Sequence, residues 1–383
     1  MQPSPTPCHV CSCAALELVE CYGTFARVTS DCKPWPRGGA LGICRGCGCV
    51  QAVADDGWRE EASQIYRNYS IWHQSGGAEQ SVFDAFGQAA SRSRRILDRL
   101  QREVALPVRG RLLDIGCGNG SLLSTASQLL PEWSLAGTEF DDKYRARIEA
   151  IPNVEGLHTG PLRDIPGQFD LVTMSHVFEH LTAPATLLEL LPAMLKPNGH
   201  LLIQVPNYKE NPFELTVADH CSHFCPSSLA KIVSGAGYTL RILATDWVPR
   251  EITLLAQPGV SPPVAIPDLP ETSTAVASAL SWLNAMREKA RRSCNGRRFG
   301  IFGTSIAGTW LYSELGDRVS FFIDEDLQRA GKNHLGVPIV LPLDAPQDSL
   351  VFVALPQPLA GTVMSRLRHP APSAVSYLTV DSL

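Results

Sequence analysis

The chain has 383 residues, of which 44% are hydrophobic and 19% are charged, and its formal net charge is −5. This composition is ordinary for a folded globular protein, and the length allows about two or three domains. The slight acidity argues against a general nucleic-acid binder. The start of the chain lacks a basic and apolar leader, and no apolar run approaches the roughly 20 residues of a membrane span. We therefore expect a cytoplasmic protein with no membrane or nucleic-acid partner.

Eight of the 12 cysteines precede residue 50, and four of them form two Cys-x-x-Cys pairs. The pairs are Cys8 with Cys11 and Cys44 with Cys47. Two such pairs can close a tetrahedral thiolate site, so a structural zinc is predicted; four thiolates leave no open position for catalysis. Cys13 and Cys49 each lie two residues beyond a pair, and either could replace one of the four ligands.

A polar connector with interleaved aromatic residues follows the cysteine-rich segment. Tyr66 and Tyr69 are consistent with a linker that packs on the next domain and with a segment that covers an active site. From Ser81 to Val104 the apolar spacing predicts a helix.

Strands and helices then alternate as far as residue 257. This alternation predicts a mostly parallel, doubly wound α/β sheet that binds its ligand at the carboxyl ends of the strands. The predicted strands are Arg111–Ile115, Trp133–Glu139, Phe169–Met174, His200–Val205, Tyr238–Trp247 and Glu251–Ala256, the last two with an antiparallel pairing left open. The predicted helices are Pro184–Leu195 and Ser227–Gly235.

A proline-rich stretch and a second small α/β unit complete the chain. The helix Ala275–Ala290 and the strand Arg298–Phe302 begin this unit, and its Gly303–Gly308 loop lacks a dinucleotide fingerprint. The predicted segments are 1–55 (zinc-binding), 56–107 (helical connector or cover), 108–257 (ligand-binding sheet), 258–274 (linker) and 275–383 (C-terminal α/β unit).

The glycine loop after the first strand of the sheet has the spacing G-x-G-x-G. A dinucleotide fingerprint needs its third glycine at position 121, which is a serine here. Asp114, just before the loop, would repel a pyrophosphate and suits a cationic or zwitterionic ligand. Glu139, at the end of the next strand, could accept hydrogen bonds from both hydroxyls of a ribose.

This pattern resembles the class I S-adenosylmethionine-dependent methyltransferases. The stretches Phe169–Val172, Val177–Leu181 and Leu195–Leu201 are also similar to that family. The resemblance implies a Rossmann-like methyltransferase sheet with S-adenosylmethionine as cofactor. It further implies that one set of residues wraps the methionine part and the ribose, that Glu139 binds the ribose hydroxyls, and that Asp164 or the backbone near it meets the adenine. The wrapping residues would be Asp114, Gly116, Gly118 and Gly120.

The order of segments along the whole chain resembles that of the deoxysugar C-methyltransferases, which act on nucleotide-linked keto sugars. Besides the cysteine pairs and the glycine loop, the segment Asp219–Phe224 carries this resemblance, because that family commonly reads Glu-His-x-x-Tyr-Phe there. The resemblance implies a nucleotide sugar as the small-molecule substrate and a C-terminal unit that supports substrate binding. The methylated atom could then be carbon.

Methylation of a carbon beside a ketone requires a general base and a donor that stabilises the enolate oxygen. Histidine suits the first role, so His220 is the candidate base. His180 could orient or polarise the substrate, although a structural role is equally open. His223 is a further candidate, and Tyr69, or Tyr66, could close over the site.

The chain departs from the sugar-methyltransferase pattern at three positions. Val217, Asp219 and His223 stand where that family has tyrosine, glutamate and tyrosine. An oxygen or nitrogen acceptor therefore stays open, as do a non-catalytic binding protein that retains the fold and an RNA methyltransferase guided by the zinc segment. The net negative charge of the chain disfavours an RNA methyltransferase. A monomer and a homodimer are both compatible with the sequence.

Overall fold

The computed structural model describes residues 6–71, 77–79, 81–83, 87–260, 269–368 and 374–382. Short strands that enclose the cysteine pairs form the beginning of the chain. They are β1 (Leu16–Leu18), β2 (Arg27–Val28), β3 (Pro34–Trp35), β4 (Leu41–Cys44) and β5 (Val50–Ala52). β4 pairs antiparallel with β1 and β5, and β2 and β3 form a separate antiparallel pair.

The connector contains two helices and a hairpin. They are α1 (Asp56–Arg67), β6 (Ser81–Phe83), β7 (Ala89–Ser91) and α2 (Arg92–Glu103). The prediction of one helix from Ser81 to Val104 is therefore wrong in its first half, of which residues 84–86 lie outside the described part. Gly87 has a φ of 79° between the two strands, a conformation that helices do not use. The Ser91 side chain accepts a hydrogen bond from the Arg94 N–H, which caps the helix ten residues later than expected.

A seven-stranded sheet forms the middle of the molecule. In chain order its strands, together with the short β13 that lies outside it, are β8 (Arg111–Ile115), β9 (Ser134–Thr138), β10 (Val154–His158), β11 (Phe169–Ser175), β12 (Leu195–Pro206), β13 (Ser222–His223), β14 (Tyr238–Ala244) and β15 (Glu251–Pro258). The spatial order is β10-β9-β8-β11-β12-β15-β14. The five strands from β10 to β12 pair in parallel, and β15 is antiparallel to both β12 and β14. The predicted parallel sheet is confirmed, and its last two strands are antiparallel.

The inner strands β8, β9 and β11 are mostly buried along their length, because helices cover both faces of this sheet. These helices are α3 (Ser121–Leu129), α4 (Arg145–Glu149), α5 (Pro184–Leu190) and α6 (Pro226–Gly235). The helix predicted to reach Leu195 ends its α-helical part at Leu190 and tightens into a 3-10 turn over Leu191–Ala193. Pro192, which cannot donate the next intrahelical hydrogen bond, lies in that turn.

The C-terminal unit is a second α/β layer. Its elements are α7 (Leu269–Ser293), β16 (Phe299–Phe302), α8 (Ile306–Leu315), β17 (Phe321–Ile323), β18 (Asn333–His334), β19 (Val337–Val340), β20 (Leu350–Val353), α9 (Leu359–Arg368) and β21 (Ser376–Leu378). The strand order is β18-β19-β17-β16-β20-β21, with parallel pairs from β19 to β21. Of the predicted linker, residues 261–268 lie outside the described part, and α7 already begins at Leu269.

The three parts meet around one stretch of the central part, residues 207–224. β13 pairs antiparallel with β5, which makes it the fourth strand of the N-terminal sheet. Phe213 packs against Trp310 of α8, with ring centroids 5.5 Å apart. The Trp310 indole N–H donates to the Ala26 carbonyl at 2.9 Å. None of the helices in the described ranges has the length and apolar character needed to cross a membrane.

Candidate active site

The glycine loop joins β8 to α3 at the carboxyl edge of the central sheet. Gly116 and Gly118 have φ values of 64° and 57°, in the left-handed region that favours glycine. A Cβ atom at Gly116 would lie 2.5 Å from a methyl group of Val177, and one at Gly118 would lie 2.8 Å from Ile71. The loop therefore needs glycine both for its backbone conformation and for its close packing.

Two carboxylates flank this loop, as the sequence predicts. Asp114 is 3% exposed and accepts a hydrogen bond from the Thr173 hydroxyl at 2.7 Å. Burial raises its pKa to about 7. Glu139 accepts from the Gly118 N–H at 2.6 Å, and burial raises the pKa of this carboxyl group as well. The two acids make the ligand-facing side of the loop electronegative.

A cavity of about 650 Å³ opens beside the loop. This volume lies within the usual range for a small-molecule site. Four of the six predicted cofactor residues line the cavity: Asp114, Gly116, Gly118 and Glu139. Gly120 is not a lining residue, although its neighbours Asn119 and Ser121 are. Asp164 is exposed in a 3-10 turn and does not line the cavity, so the structure does not bring it to the others.

His220 also lines the cavity, in a part that we call the acceptor wall, and is held by a carboxylate that sequence reasoning missed. Its Nδ1 is 2.5 Å from Oε1 of Glu214, and the two side chains are 5% and 3% exposed. Burial lowers the pKa of His220 and raises that of Glu214 to about 7, because each charged form loses its hydration. With the ionised carboxylate accepting the Nδ1 hydrogen, Nε2 keeps a free lone pair.

His180 packs edge-on against His220, with ring centroids 4.6 Å apart. Its Nδ1 lies 2.9 Å from the Tyr66 hydroxyl oxygen and 3.0 Å from the Asp219 carbonyl oxygen. Because a carbonyl oxygen only accepts hydrogen bonds, the hydrogen of the neutral ring belongs on Nδ1, and Nε2 again keeps its lone pair.

The other two predicted catalytic residues differ in their placement. Tyr69 lines the cavity at the end of α1, close to Tyr66. His223 is 1% exposed and does not line the cavity. Its Nδ1 lies 3.3 Å from the same Glu214 oxygen that binds His220, so it supports the carboxylate from behind.

A second buried group of charges lines the cavity between the histidines and the sheet. His176, directly after β11, has a φ of 56° and lies 3.1 Å from both Glu179 and Glu251. Burial and Arg92 lower its pKa, but the two glutamates outweigh them and raise it to about 9. Arg92 pairs with Glu251 through two nitrogens at 2.8–3.0 Å. Glu179 itself is fully buried.

Sequence patterns carry little information about these additional residues. Glu179 belongs to the Phe-Glu-His-Leu stretch that carries part of the family resemblance. From that stretch the sequence analysis proposes a role only for the histidine, His180. Glu214 reaches His220 because the 3-10 turn Pro212–Thr216 folds back on the chain, and no local spacing announces this contact.

The predicted metal ligands come together outside this cavity. The sulfur atoms of Cys8, Cys11, Cys44 and Cys47 all lie within 4.8 Å of one another. The Cys8 and Cys47 sulfurs are 3.7 Å apart, and the Cys11 and Cys44 sulfurs are 3.5 Å apart. Both values are near the sulfur–sulfur distance expected around a tetrahedral zinc. The Gln51 side-chain amide donates to Cys8 Sγ at 3.0 Å, and the Gly46 N–H donates to Cys44 Sγ at 3.3 Å. These donors favour thiolates, which fits a bound cation.

Comparisons with known proteins agree with the sheet and its loop. Residues 88–242 match a family described as a methyltransferase domain. A ubiquinone biosynthesis O-methyltransferase of Xylella fastidiosa is 31% identical over 134 residues, which are 32% of this chain and 51% of that protein. Its counterpart in Xanthomonas campestris is 29% identical over 160 residues, or 38% of this chain and 57% of that protein. This chain thus spans about half the length of the curated relatives that it matches.

A solved structure of a S-adenosylmethionine-dependent methyltransferase from Aquifex aeolicus is also similar, at 17% identity and a TM-score of 0.38. The alignment covers 51% of this chain and 97% of that one. The family match and the seven-stranded sheet concern the same stretch of sequence. Residues 88–242 of this chain are thus similar to a methyltransferase domain, and they contain all the strands of the Rossmann-like sheet except β15 and the end of β14.

Proposed function

We propose that this protein transfers a methyl group from S-adenosylmethionine to a small-molecule acceptor. One observation carries the proposal: the glycine loop with its two acids and the His180–His220 pair line the same cavity. The glycine loop and its acids, called the first wall here, would bind the methyl donor. The histidine pair, called the second wall or acceptor wall, would activate the acceptor. A binding protein that merely retained the fold would not require a carboxylate-held histidine there.

The residues of the first wall fit the cofactor chemically. S-adenosylmethionine supplies an electrophilic methyl group on a positively charged sulfonium. Asp114 and Glu139 provide negative charge beside the loop, and Gly116 and Gly118 let the backbone approach a ligand closely. Phe140, which is 69% exposed next to Glu139, offers an apolar face for the adenine.

The residues of the second wall activate the acceptor in this proposal. His220 presents Nε2 while Glu214 holds Nδ1, which is the arrangement that a general base requires. His180 lies beside it and orients the acceptor, and Tyr69 covers the cavity. We place His223 behind Glu214 as a positioning residue, because no part of it reaches the cavity lining.

For the acceptor itself, we propose a nucleotide-linked keto sugar. The cysteine pairs and the Asp219–Phe224 segment support this choice, as does the C-terminal unit, which contributes Ser305 and Ala307 to the cavity. A hydroxyl acceptor is the second candidate, because the relatives from Xylella and Xanthomonas are named O-methyltransferases. The same histidine pair would serve either acceptor.

Labelled methyl transfer to a panel of nucleotide keto sugars and hydroxylated aromatic compounds tests the proposal. The variant His220→Asn should lose turnover by a factor of at least about 100, with S-adenosylmethionine affinity nearly unchanged. The matched control is His200→Asn, at a partly buried position of β12 that does not line the cavity, which should keep full turnover. Calorimetry without any S-adenosylmethionine binding would contradict the proposed function as a whole.

We also propose a structural zinc ion at Cys8, Cys11, Cys44 and Cys47. The four converging sulfurs, of which only that of Cys11 belongs to an exposed residue, and their N–H donors support it. Cys13 and Cys49 lie outside this group. The ion would supply folding energy to a segment of short strands that has little core of its own.

A further inference from the structure

A second group of metal-ligating side chains lies at the acceptor wall of the cavity. One ligand atom each from Glu179, His180 and His220 falls within 4.8 Å of the other two. The group combines two imidazoles with one carboxylate, a set that binds divalent transition metals and leaves coordination positions open. Since His180 and His220 line the cavity, those open positions would face a ligand bound there.

The two imidazoles are oriented as metal-binding histidines usually are. His220 Nδ1 is engaged by the Glu214 carboxylate at 2.5 Å, and His180 Nδ1 by the Asp219 carbonyl at 3.0 Å. Each ring therefore has its Nε2 lone pair left over. A carboxylate or carbonyl on the remote nitrogen is the usual partner of a metal-bound histidine, because it fixes the tautomer and raises ligand basicity.

Glu179 supplies the carboxylate of this group. Its side chain is 0% exposed, and it forms an ion pair with His176, whose Nδ1 lies 3.1 Å from Oε1. Neither carboxylate oxygen meets the geometry of a hydrogen bond with the described residues. Lone pairs of this carboxylate are therefore available to a metal ion in addition to the His176 contact.

The neighbouring group of Glu214, His220 and His223 is a poorer site. There the two Nδ1 atoms already share one Glu214 oxygen, at 2.5 Å and 3.3 Å. All three residues are buried, and His223 does not reach the cavity. A cation in this group would have to displace existing hydrogen bonds and would have no open position for a ligand.

We propose that Glu179, His180 and His220 bind a divalent transition-metal ion that holds the methyl acceptor. This inference rests on the proposed function and specifies how the acceptor wall works. The acceptor would be a molecule with an oxygen atom at, or directly beside, the methylated position, because that oxygen can occupy the open coordination positions. The ion would stabilise negative charge on it. His220 is then a metal ligand positioned by Glu214, in place of the base role proposed above. The ion would make the bound acceptor more acidic, and the proton that the acceptor loses would pass to solvent water.

Titration of the full-length protein with Co²⁺ tests this site, after the cysteine cluster has been loaded with zinc. We expect one cobalt per chain in addition to the zinc, with visible d–d absorption and no thiolate-to-cobalt charge-transfer band. Glu179→Gln and His180→Asn should each weaken Co²⁺ binding by more than about 100-fold, and Glu214→Gln by about 10- to 100-fold. The matched control Glu189→Gln, at an exposed position of α5, should bind as the wild type does.

Three outcomes of the metal titrations would overturn the proposal. They are the absence of a second metal, a second metal with a thiolate band, and loss of binding in His223→Asn but not in Glu179→Gln. Thermal unfolding of each variant separates lost ligands from lost folding. Full methyl transfer by protein freed of the second metal would also overturn it, while leaving the proposed function intact. Conversely, cobalt binding without methylation of any acceptor in the panel would support the metal site and count against the proposed function.

Discussion

At the scale of single residues, Asp114 is expected to favour ligand binding and to lower the folding stability of the ligand-free protein. The carboxyl group is 3% exposed at the end of β8, and burial raises its pKa to about 7. The Thr173 hydroxyl partly offsets this effect, whereas Glu139 and Glu79 add to it. A positively charged ligand would favour the ionised form of Asp114. The buried negative charge therefore destabilises the ligand-free protein but favours ligand binding.

Replacement of Asp114 by Asn should therefore stabilise the ligand-free protein at alkaline pH. The folded state keeps a proton up to about pH 7 that the unfolded chain releases above about pH 4, so ionisation costs the folded state stability as the pH rises. We expect a gain of about 3 kcal/mol near pH 8 that disappears near pH 4, together with weaker S-adenosylmethionine binding. Urea unfolding across this range measures it. Asp142→Asn, an exposed substitution, is the control, and a variant less stable than the wild type at every pH would contradict the prediction.

The sequence predicts residues of the site where one local pattern determines them. Asp114, the glycines and Glu139 follow from strand–loop–helix spacing, and of these residues all but Gly120 line the cavity. Glu214 could not be found this way, because its contact with His220 depends on a turn held by the C-terminal unit. Glu179 lies in a stretch that carries the family resemblance, but its complete burial beside His176 and the two cavity histidines depends on the fold around it.

At the scale of elements, β13 connects the predicted zinc segment to the acceptor wall. Ser222 pairs with Gln51 of β5, and Gln51 in turn donates to Cys8 Sγ. His9, between the first two cysteines, lies 2.7 Å from the Ser222 hydroxyl. The segment that follows His220 is thus a strand of the sheet that the cysteine cluster closes.

Loss of the cysteine cluster should loosen β13 before it affects the central sheet. For Cys47→Ser we expect loss of zinc, faster amide hydrogen exchange at residues 50–52 and 221–224, and unchanged exchange in β8 and β11. Elemental analysis and exchange mass spectrometry measure these effects. Cys21→Ser, at an exposed cysteine outside the pairs, is the matched control. Zinc loss without faster exchange in β13 would show that the two are not coupled.

The predicted secondary-structure elements agree with the structure where apolar runs are long. They are wrong where the apolar spacing of a short hairpin also fits a helix. β8 has the predicted bounds, and β11 extends one residue further than expected. Over Ser81–Val104 the apolar spacing fits a helix as well as a hairpin. A single glycine and the Ser91 cap decide between them.

At the scale of the whole molecule, the residues of the acceptor wall all lie in the central part of the chain, and the other two parts pack against the segments that carry them. Glu179 and His180 follow a strand of the central sheet, and His220 precedes a strand of the N-terminal sheet. Glu214 follows Phe213, which packs on Trp310 of the C-terminal unit. The other two parts therefore help to position this wall, which explains why the C-terminal unit matters for a site that lies mainly elsewhere.

This assembly predicts that packing in the C-terminal unit controls the position of Glu214. Phe213→Leu and Phe352→Leu both shorten a fully buried side chain of the same hydrophobic cluster. Each should cost about 1–2 kcal/mol of unfolding free energy, as measured by denaturant titration. Only Phe213→Leu should also reduce methyl transfer, by roughly tenfold to a hundredfold, because it lets the turn beside His220 shift. Phe352→Leu, in β20, is the control for stability alone. Equal activity of the two variants at equal stability would mean that the C-terminal unit does not position Glu214.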